Sequence, residues 1–557
     1  MCRLFQRRMA WAAMTFLVVT LLYWPCRNFS FVRLDDQDYI YQNWHIKEGL
    51  SPNCIQWAFL DVGYASNWHP LTWISHALDV SLVRAAGMEV DSPGRLSDSW
   101  TAEDGALAHI SHVHNLVLHA VNAALLFWLL AVMVGAKGDG HEPVPLFGCA
   151  LLALLWAVHP LRSEVVAWVS ERKELLSVCF MLLSLIAYFG DGARRYLLAL
   201  LFLVFALLAK PVAVSLPAVL LAWDYVLRRE KAARCILRAL PFVALAVVAC
   251  TLTILAQDDA LKVGKVAMSW SMRVASAVEA PAVYLRQTVW PVGLCPLYVT
   301  LRSICWAYFA GGVALICVMV WIVACWIRGH GAWSGIGAFA VLWCYVGLIP
   351  MLGIVKVGGQ PHSDRYTYWI GCGMMAVAAL AWSRGMNFLM RAGSMRGLVC
   401  ALSALIGIYA VATAVRNGAW RNSLALYADV VEKTADEDSA MILADELSCH
   451  GGAGKKEAIS MLRGVLAAKR TAKARGGLAL FMAMHGGPDV LAEARMFAQE
   501  AIDEDPRCYE AYAALGFADM RTGDLRGAAE HMDHAFANGY VNSRIAALLP
   551  KWKKSAR

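Results

Sequence analysis

Charge is scarce in this chain. Only 17% of its 557 residues are Asp, Glu, Lys or Arg, where soluble domains carry about a quarter. That shortage excludes an ordinary soluble protein. Zinc-binding spacing is missing too: the sixteen cysteines include no CxxC pair and no Cys/His arrangement of that kind. Cys149, Cys179, Cys250, Cys317, Cys344 and Cys400 lie inside apolar segments, where a thiol behaves as a small hydrophobe. Cys26 and Cys54 are the pair that an oxidising compartment could join. A cleavage site is also lacking at the N-terminus. Arg3, Arg7 and Arg8 precede the apolar run Met9 to Trp24, which ends in Tyr23-Trp24-Pro25, so it reads as a retained helix rather than a signal peptide. The formal charge of +8 gathers at segment ends. It reports membrane topology, not nucleic-acid binding.

What is abundant is apolar. Hydrophobic residues make up 59% of the chain, with a mean hydropathy of +0.50. They come in blocks near the roughly 20 residues that carry a helix across a bilayer. The fold class is all-α: a polytopic membrane bundle over 1–415, then a water-soluble domain over 416–557. Spans are predicted at 9–25, 112–135, 144–159, 173–190, 196–210, 211–227, 237–256, 305–327, 333–355, 367–385 and 395–415, eleven in all. The positive-inside rule places the N-terminus in the cytoplasm. Lys137, Arg194 with Arg195, Arg228-Arg229-Glu230-Lys231, Arg328, and Arg384 with Arg391 and Arg396 then fall on that same side. Residues 270–298 carry Arg273, Glu279 and Arg286 and read as an amphipathic helix on the outer surface. As one helix, 196–227 would run about 48 Å, too long for a bilayer. Pro211 breaks it into a hairpin with Lys210 at the outer tip.

Four polar pieces therefore face outwards: 26–111, 160–172, 257–304 and 356–368. The soluble part shows a repeat of about 34 residues. Asp505-Pro506 closes one unit. Tyr512, Leu515, Gly516, Ala528 and Ala535 fit the spacing of a tetratricopeptide repeat, Ala494 and Ala501 occupy the same positions one period earlier, and Ala467 two periods back. About three repeats are expected. They would lie on the outer side and offer a groove to a protein partner, or simply cap the membrane part. Trp420 to Tyr427 would join the two parts.

The outer pieces hold the candidate chemistry. Asp35 and Asp36, with Asp38 nearby, follow the first span. Partial burial would raise such a carboxyl towards neutrality and suit it to general-base work; an N-cap of a short helix is the structural alternative. His69 stands between Trp68 and Trp73. His159, Glu164, Glu171 and Arg172 frame the second outer piece, as a salt-bridge lattice or as ligand contacts. Lys210 can snorkel or meet a lipid phosphate. His362, Asp364, Arg365 and Tyr366 precede a later span, and Arg365 can grip a phosphate bidentately. Acids with cations at membrane depth fit a reaction on a lipid phosphate donor. An Asp takes the proton of an incoming hydroxyl and the cations stabilise the departing phosphate.

The stretches Leu34-Asp-Asp-Gln-Asp-Tyr-Ile40, Asn67-Trp-His-Pro-Leu-Thr-Trp73, His159 to Glu174, Leu207-Leu-Ala-Lys-Pro211 and Asp364-Arg-Tyr-Thr-Tyr368, with the C-terminal repeats, resemble the transmembrane and tetratricopeptide-repeat containing family of O-mannosyltransferase-like proteins, in a bacterial-type form. The resemblance runs over nearly the whole chain and implies a GT-C glycosyltransferase. The donor would be a polyprenyl-phosphate sugar and the acceptor a protein or glycan hydroxyl on the outer face, with Asp35 or Asp36 as base. The enzyme would work without a metal or other cofactor in a bacterial inner membrane, its repeats in the periplasm (the lumen of the endoplasmic reticulum in a eukaryote). Two other readings stand beside it: a non-catalytic scaffold presenting its repeats, and a lipid-diphosphate-oligosaccharide ligase or polymerase.

Overall fold

The computed structural model describes residues 2–88, 90, 105–135, 146–190, 192–256, 269–298, 304–329, 331–352, 362–391 and 395–555. Lys137 and residues 356–361 of the fourth outer piece lie outside them. Every described element is helical. The chain divides into two compact units, the first ending at Asn422 and the second taking up Ser423 onwards. Residues 416–422 thus belong to the first unit.

The first unit contains α1 (Cys2–Tyr23), α2 (Trp44–Lys47), α3 (Pro52–Leu60), α4 (Pro70–Ala85), α5 (Gly105–Gly135), α6 (Leu146–Ala157), α7 (Ser163–Ala167), α8 (Arg172–Tyr188), α9 (Ala193–Ala209), α10 (Leu216–Ala222), α11 (Ala232–Ala256), α12 (Trp270–Val289), α13 (Trp306–Ile327), α14 (Gly331–Leu348), α15 (Thr367–Arg391) and α16 (Met395–Asn417). Among the described residues, six helical stretches are long and apolar enough to cross a membrane: Phe5–Asn28, Gly105–Gly135, Ala232–Ala256, Trp306–Ile327, Trp333–Met351 and Met395–Trp420. A seventh arises if α6 is joined to Pro160–Ala167 across a 59° bend. The chain is a membrane protein. The described parts of the other expected spans are helical but shorter or less apolar; α8 and α9 have 17 residues each.

Apolar side chains on α11, α13 and α16 stay exposed, among them Leu237, Trp321 and Val415, as lipid-facing surfaces do. At Gly312 a Cβ would lie 1.8 Å from the Val278 carbonyl oxygen, so only glycine lets α12 and α13 approach this closely. The first outer piece is a folded structure in its own right. Helices α2–α4 enclose Tyr39, Ile46, Cys54, Trp57, Trp73 and Val80, with Val169 from the second outer piece in the same core. Cys26 and Cys54 are both buried free thiols.

The second unit runs through α17 (Ser423–Thr434), α18 (Glu437–Ser448), α19 (Gly451–Lys469), α20 (Ala472–His485), α21 (Leu491–Glu504), α22 (Tyr509–Thr522), α23 (Leu525–Ala537) and α24 (Ser543–Ser555). From α17 to α24 each helix packs on the next, and α20 also packs on α18 and α22. Ala494, Ala501, Gly516, Ala528 and Ala535 are buried in these contacts, because small residues let helices approach closely. Asp436, Thr471 and Asp524 cap helix starts by accepting the amides of Ser439, Ala474 and Gly527.

Candidate active site

The break at Pro211 shows how the sequence builds the site. Proline disfavours a helical residue before it, and Lys210 is extended, with φ −160° and ψ 139°. The carbonyls at the end of α9 also receive side-chain donors. Ser177 Oγ donates to Ala206 O at 3.1 Å and to Lys210 O at 3.3 Å. Thr72 Oγ1 donates to Ala209 O at 3.0 Å. The lysine is thereby turned inwards, its side chain 14% exposed.

Its ammonium meets two carboxylates, Glu171 Oε2 and Glu174 Oε2, each at 2.9 Å. Both belong to the start of α8, and a spacing of three residues puts them on one helix face. Lys173 Nζ lies 3.4 Å from Glu171 Oε1 and 3.4 Å from Asp35 Oδ2, and 4.4 Å above the Tyr39 ring. Arg365 pairs with Glu164 through its guanidinium, and its backbone N–H donates to the other Glu164 oxygen at 3.0 Å. Its Nε lies 3.5 Å from Glu171 Oε1. The Arg365 and Lys173 cations sit 5.4 and 5.6 Å from the Trp168 ring centre. Trp168 stacks at 5.6 Å on Trp420, from the end of the first unit. Burial opposes ionisation of Glu171, but Lys210, Lys173 and Arg365 outweigh it and hold the carboxyl at about 2.

The two aspartates differ sharply. Asp36 is 1% exposed. One of its oxygens accepts the Val32 N–H at 2.9 Å; the other accepts the Ser170 N–H at 2.9 Å and the Ser170 hydroxyl. Burial pushes its carboxyl up to about 6 against those hydrogen bonds. The Asp35 side chain is 46% exposed and its described ion pair is with Lys173. His69 lies buried behind them, its Nδ1 3.3 Å from the Tyr39 hydroxyl. Burial first, then Lys173 and Lys210, hold its ring well below the ordinary histidine range, so it is neutral.

Of the residues expected from sequence, Asp35, Glu164, Glu171, Lys210 and Arg365 join one charged network, with Tyr366 beside it: the Arg365 guanidinium lies 5.1 Å from the Tyr366 ring centre. Asp364 is turned to the Tyr298 hydroxyl, which donates to it at 2.7 Å, and burial followed by Glu164 pushes its carboxyl up to about 7. His362 is buried against the edge of Tyr284, and burial lowers its ring to about 4.

Two of the expected residues lie apart from this network. Arg172 makes no contact with the network. It is fully buried and points the other way, donating to Asn115 Oδ1, Ser75 O, Ser111 O and the Asp79 carboxylate. It ties α4 to α5. His159 is also structural: its Nδ1 accepts the Leu161 N–H at 3.2 Å and its Nε2 lies 2.9 Å from Thr288 O. Residues missed by sequence reasoning are Glu174, Tyr39 and Trp168; Ser170 and Lys173 stand in the polar run that frames the second outer piece. Glu174 had a legible signal, its spacing of three from Glu171. Trp168 had none.

Among the described residues, no group of three or more His, Cys, Asp or Glu side chains has an arrangement that could hold a metal ion. No family model matches the chain, and no solved structure matches it. Two curated relatives do. Human Protein O-mannosyl-transferase TMTC4 is 38% identical over 82 residues, and its mouse counterpart is 38% identical over 81. The matched stretch is 14% of this chain and spans 11% of the length of each relative.

Proposed function

We propose that the chain is an integral-membrane, inverting glycosyltransferase of GT-C type. It moves a monosaccharide from a polyprenyl-phosphate donor to a hydroxyl of a protein or glycan on the outer face of the membrane. The observation that carries the reading is the meeting of Lys173, Lys210 and Arg365 beside one open carboxylate, Asp35. A scaffold has no need for buried charges at this density, which are costly unless used. Asp35 takes the proton of the acceptor hydroxyl as its oxygen attacks the anomeric carbon. The bond from that carbon to the phosphate oxygen breaks, and the electron pair leaves with the lipid phosphate. The three cations stabilise the charge gained there in a low-dielectric setting. Asp36 holds the Asp35 loop against Ser170. The proposed chemistry uses no metal or other cofactor. The second unit is read as a short tetratricopeptide array on the same side, open to an acceptor or a protein partner, in a bacterial inner membrane.

The test is transfer of radiolabelled mannose from polyprenyl-phosphate mannose to a Ser/Thr peptide by the purified protein. Asp35→Asn should lose about 10²–10⁴-fold in rate, the usual size of a general-base contribution, with donor binding retained. Lys210→Ala and Arg365→Ala should lose donor binding as well. Full transfer by Asp35→Asn would return the chain to the scaffold reading.

A further inference from the structure

Glu171 has a position that the proposed chemistry leaves unexplained. Each cation of the site already has a carboxylate of its own: Lys173 has Asp35, Lys210 has Glu174, and Arg365 has Glu164. Among the described residues, Glu171 is the carboxylate that all three cations share. The cluster thus holds four carboxyl groups against three cations, and burial raises those of Glu164 and Glu174. Burying a carboxylate beyond what pairing requires is costly, and each cation keeps a carboxyl partner without Glu171. A phosphodiester matches a carboxylate in charge and likewise offers two oxygens to surrounding donors.

We propose that Glu171 is a placeholder for the phosphate of the donor: it fills the three-cation seat while the site is empty, and takes up one proton when the phosphate displaces it. This rests on the lipid-phosphate reading given above. The charged and titratable groups facing Glu171 come from several elements. They are Lys173 and Glu174 of α8, Lys210 after α9, Glu164 of α7 and Arg365 before α15, with Asp35, Tyr39 and His69 of the first outer piece beyond Lys173. In the empty site the cations keep Glu171 ionised at neutral pH. Once a phosphodiester engages them, burial and the new anion both favour the protonated acid. The empty form is then deprotonated and the filled form protonated, so donor affinity falls as pH rises.

Methyl citronellyl phosphate is a suitable probe, because a diester keeps a single charge across this pH range. Its binding to the full chain in detergent is measured by calorimetry at pH 6, 7 and 8, for the wild type and for Glu171→Gln. The wild type should lose about tenfold in affinity per pH unit, the signature of one proton taken up. Glu171→Gln should bind at least about tenfold more tightly at pH 8, with that slope gone. Asp36, Glu164, Glu174 and Asp364 also have raised pKa values, but all four remain in the variant, so the difference between the two chains reports Glu171. Equal or weaker binding by Glu171→Gln, or a surviving slope, overturns the placeholder alone, while the donor reading stands as long as Lys210→Ala abolishes binding. If the variant does not fold, binding heats of the wild type in buffers of different ionisation enthalpy report the proton directly, and zero uptake overturns the proposal. Absence of diester binding in the folded wild type, or equal affinity for inorganic sulfate, overturns the donor reading and the placeholder with it.

Discussion

Asp35 and Asp36 are neighbours with opposite surroundings, and that contrast decides what each can do. An acid whose oxygens are filled by three protein donors is poorly placed to accept a substrate proton; an open one is well placed. The sequence makes the pair legible through its position after the first span. It does not say which member is open, because the donors that fill Asp36 include Ser170, 134 positions away. Asp36→Asn should destabilise the fold by about 1–3 kcal/mol, the usual cost of orphaning buried hydrogen-bond partners, while Asp35→Asn leaves the melting temperature close to the wild-type value. The pH dependence has a definite sign. The folded-state value of Asp36, about 6, lies above the ordinary aspartate value of about 3.9. Its contribution to stability is therefore fully present below about 4 and is lost as pH rises to about 6. Melting curves of wild type and Asp36→Asn at pH 4 and pH 7 should show the gap between the two chains change in that direction.

At the scale of elements, the start of α8 sets the geometry. Glu171, Arg172, Lys173 and Glu174 are four charges in a row, and a helix of 3.6 residues per turn sends them in different directions. The sequence shows the run clearly but not its phase, which depends on the helix beginning at Arg172. This is why Glu171 meets the three cations and Arg172 turns to Asp79. Arg172→Ala should cost about 3–5 kcal/mol, because it takes the buried cation from the Asp79 carboxylate and leaves it with the Ser111 hydroxyl and the His114 ring. The expected readout is a large fall in detergent melting temperature, and Asp79→Asn on top of it should add much less than it does alone. Apolar blocks were legible for a similar reason: composition marks where helices form. Length marks which of them can cross a bilayer unaided, and α8 and α9, at 17 residues each, fall short of that.

For the molecule as a whole, the topology proposed from the basic loops predicts that the second unit is accessible from the side of Asp35. Asp524→Cys, introduced into a chain freed of its exposed native cysteines, should be labelled by an impermeant maleimide from the outer side and not from the cytoplasm. Labelling only from the cytoplasm would reverse the topology. The stacking of Trp168 on Trp420 has an optical consequence. Two indoles with ring centres 5.6 Å apart and planes 19° from parallel couple their ultraviolet transitions, so the pair absorbs and emits as one chromophore. Two cations of the site lie beside the Trp168 ring and bias that chromophore's energy. The difference spectrum between the wild type and Trp420→Phe should therefore shift whenever an anion enters the seat, giving an unlabelled, real-time gauge of occupancy.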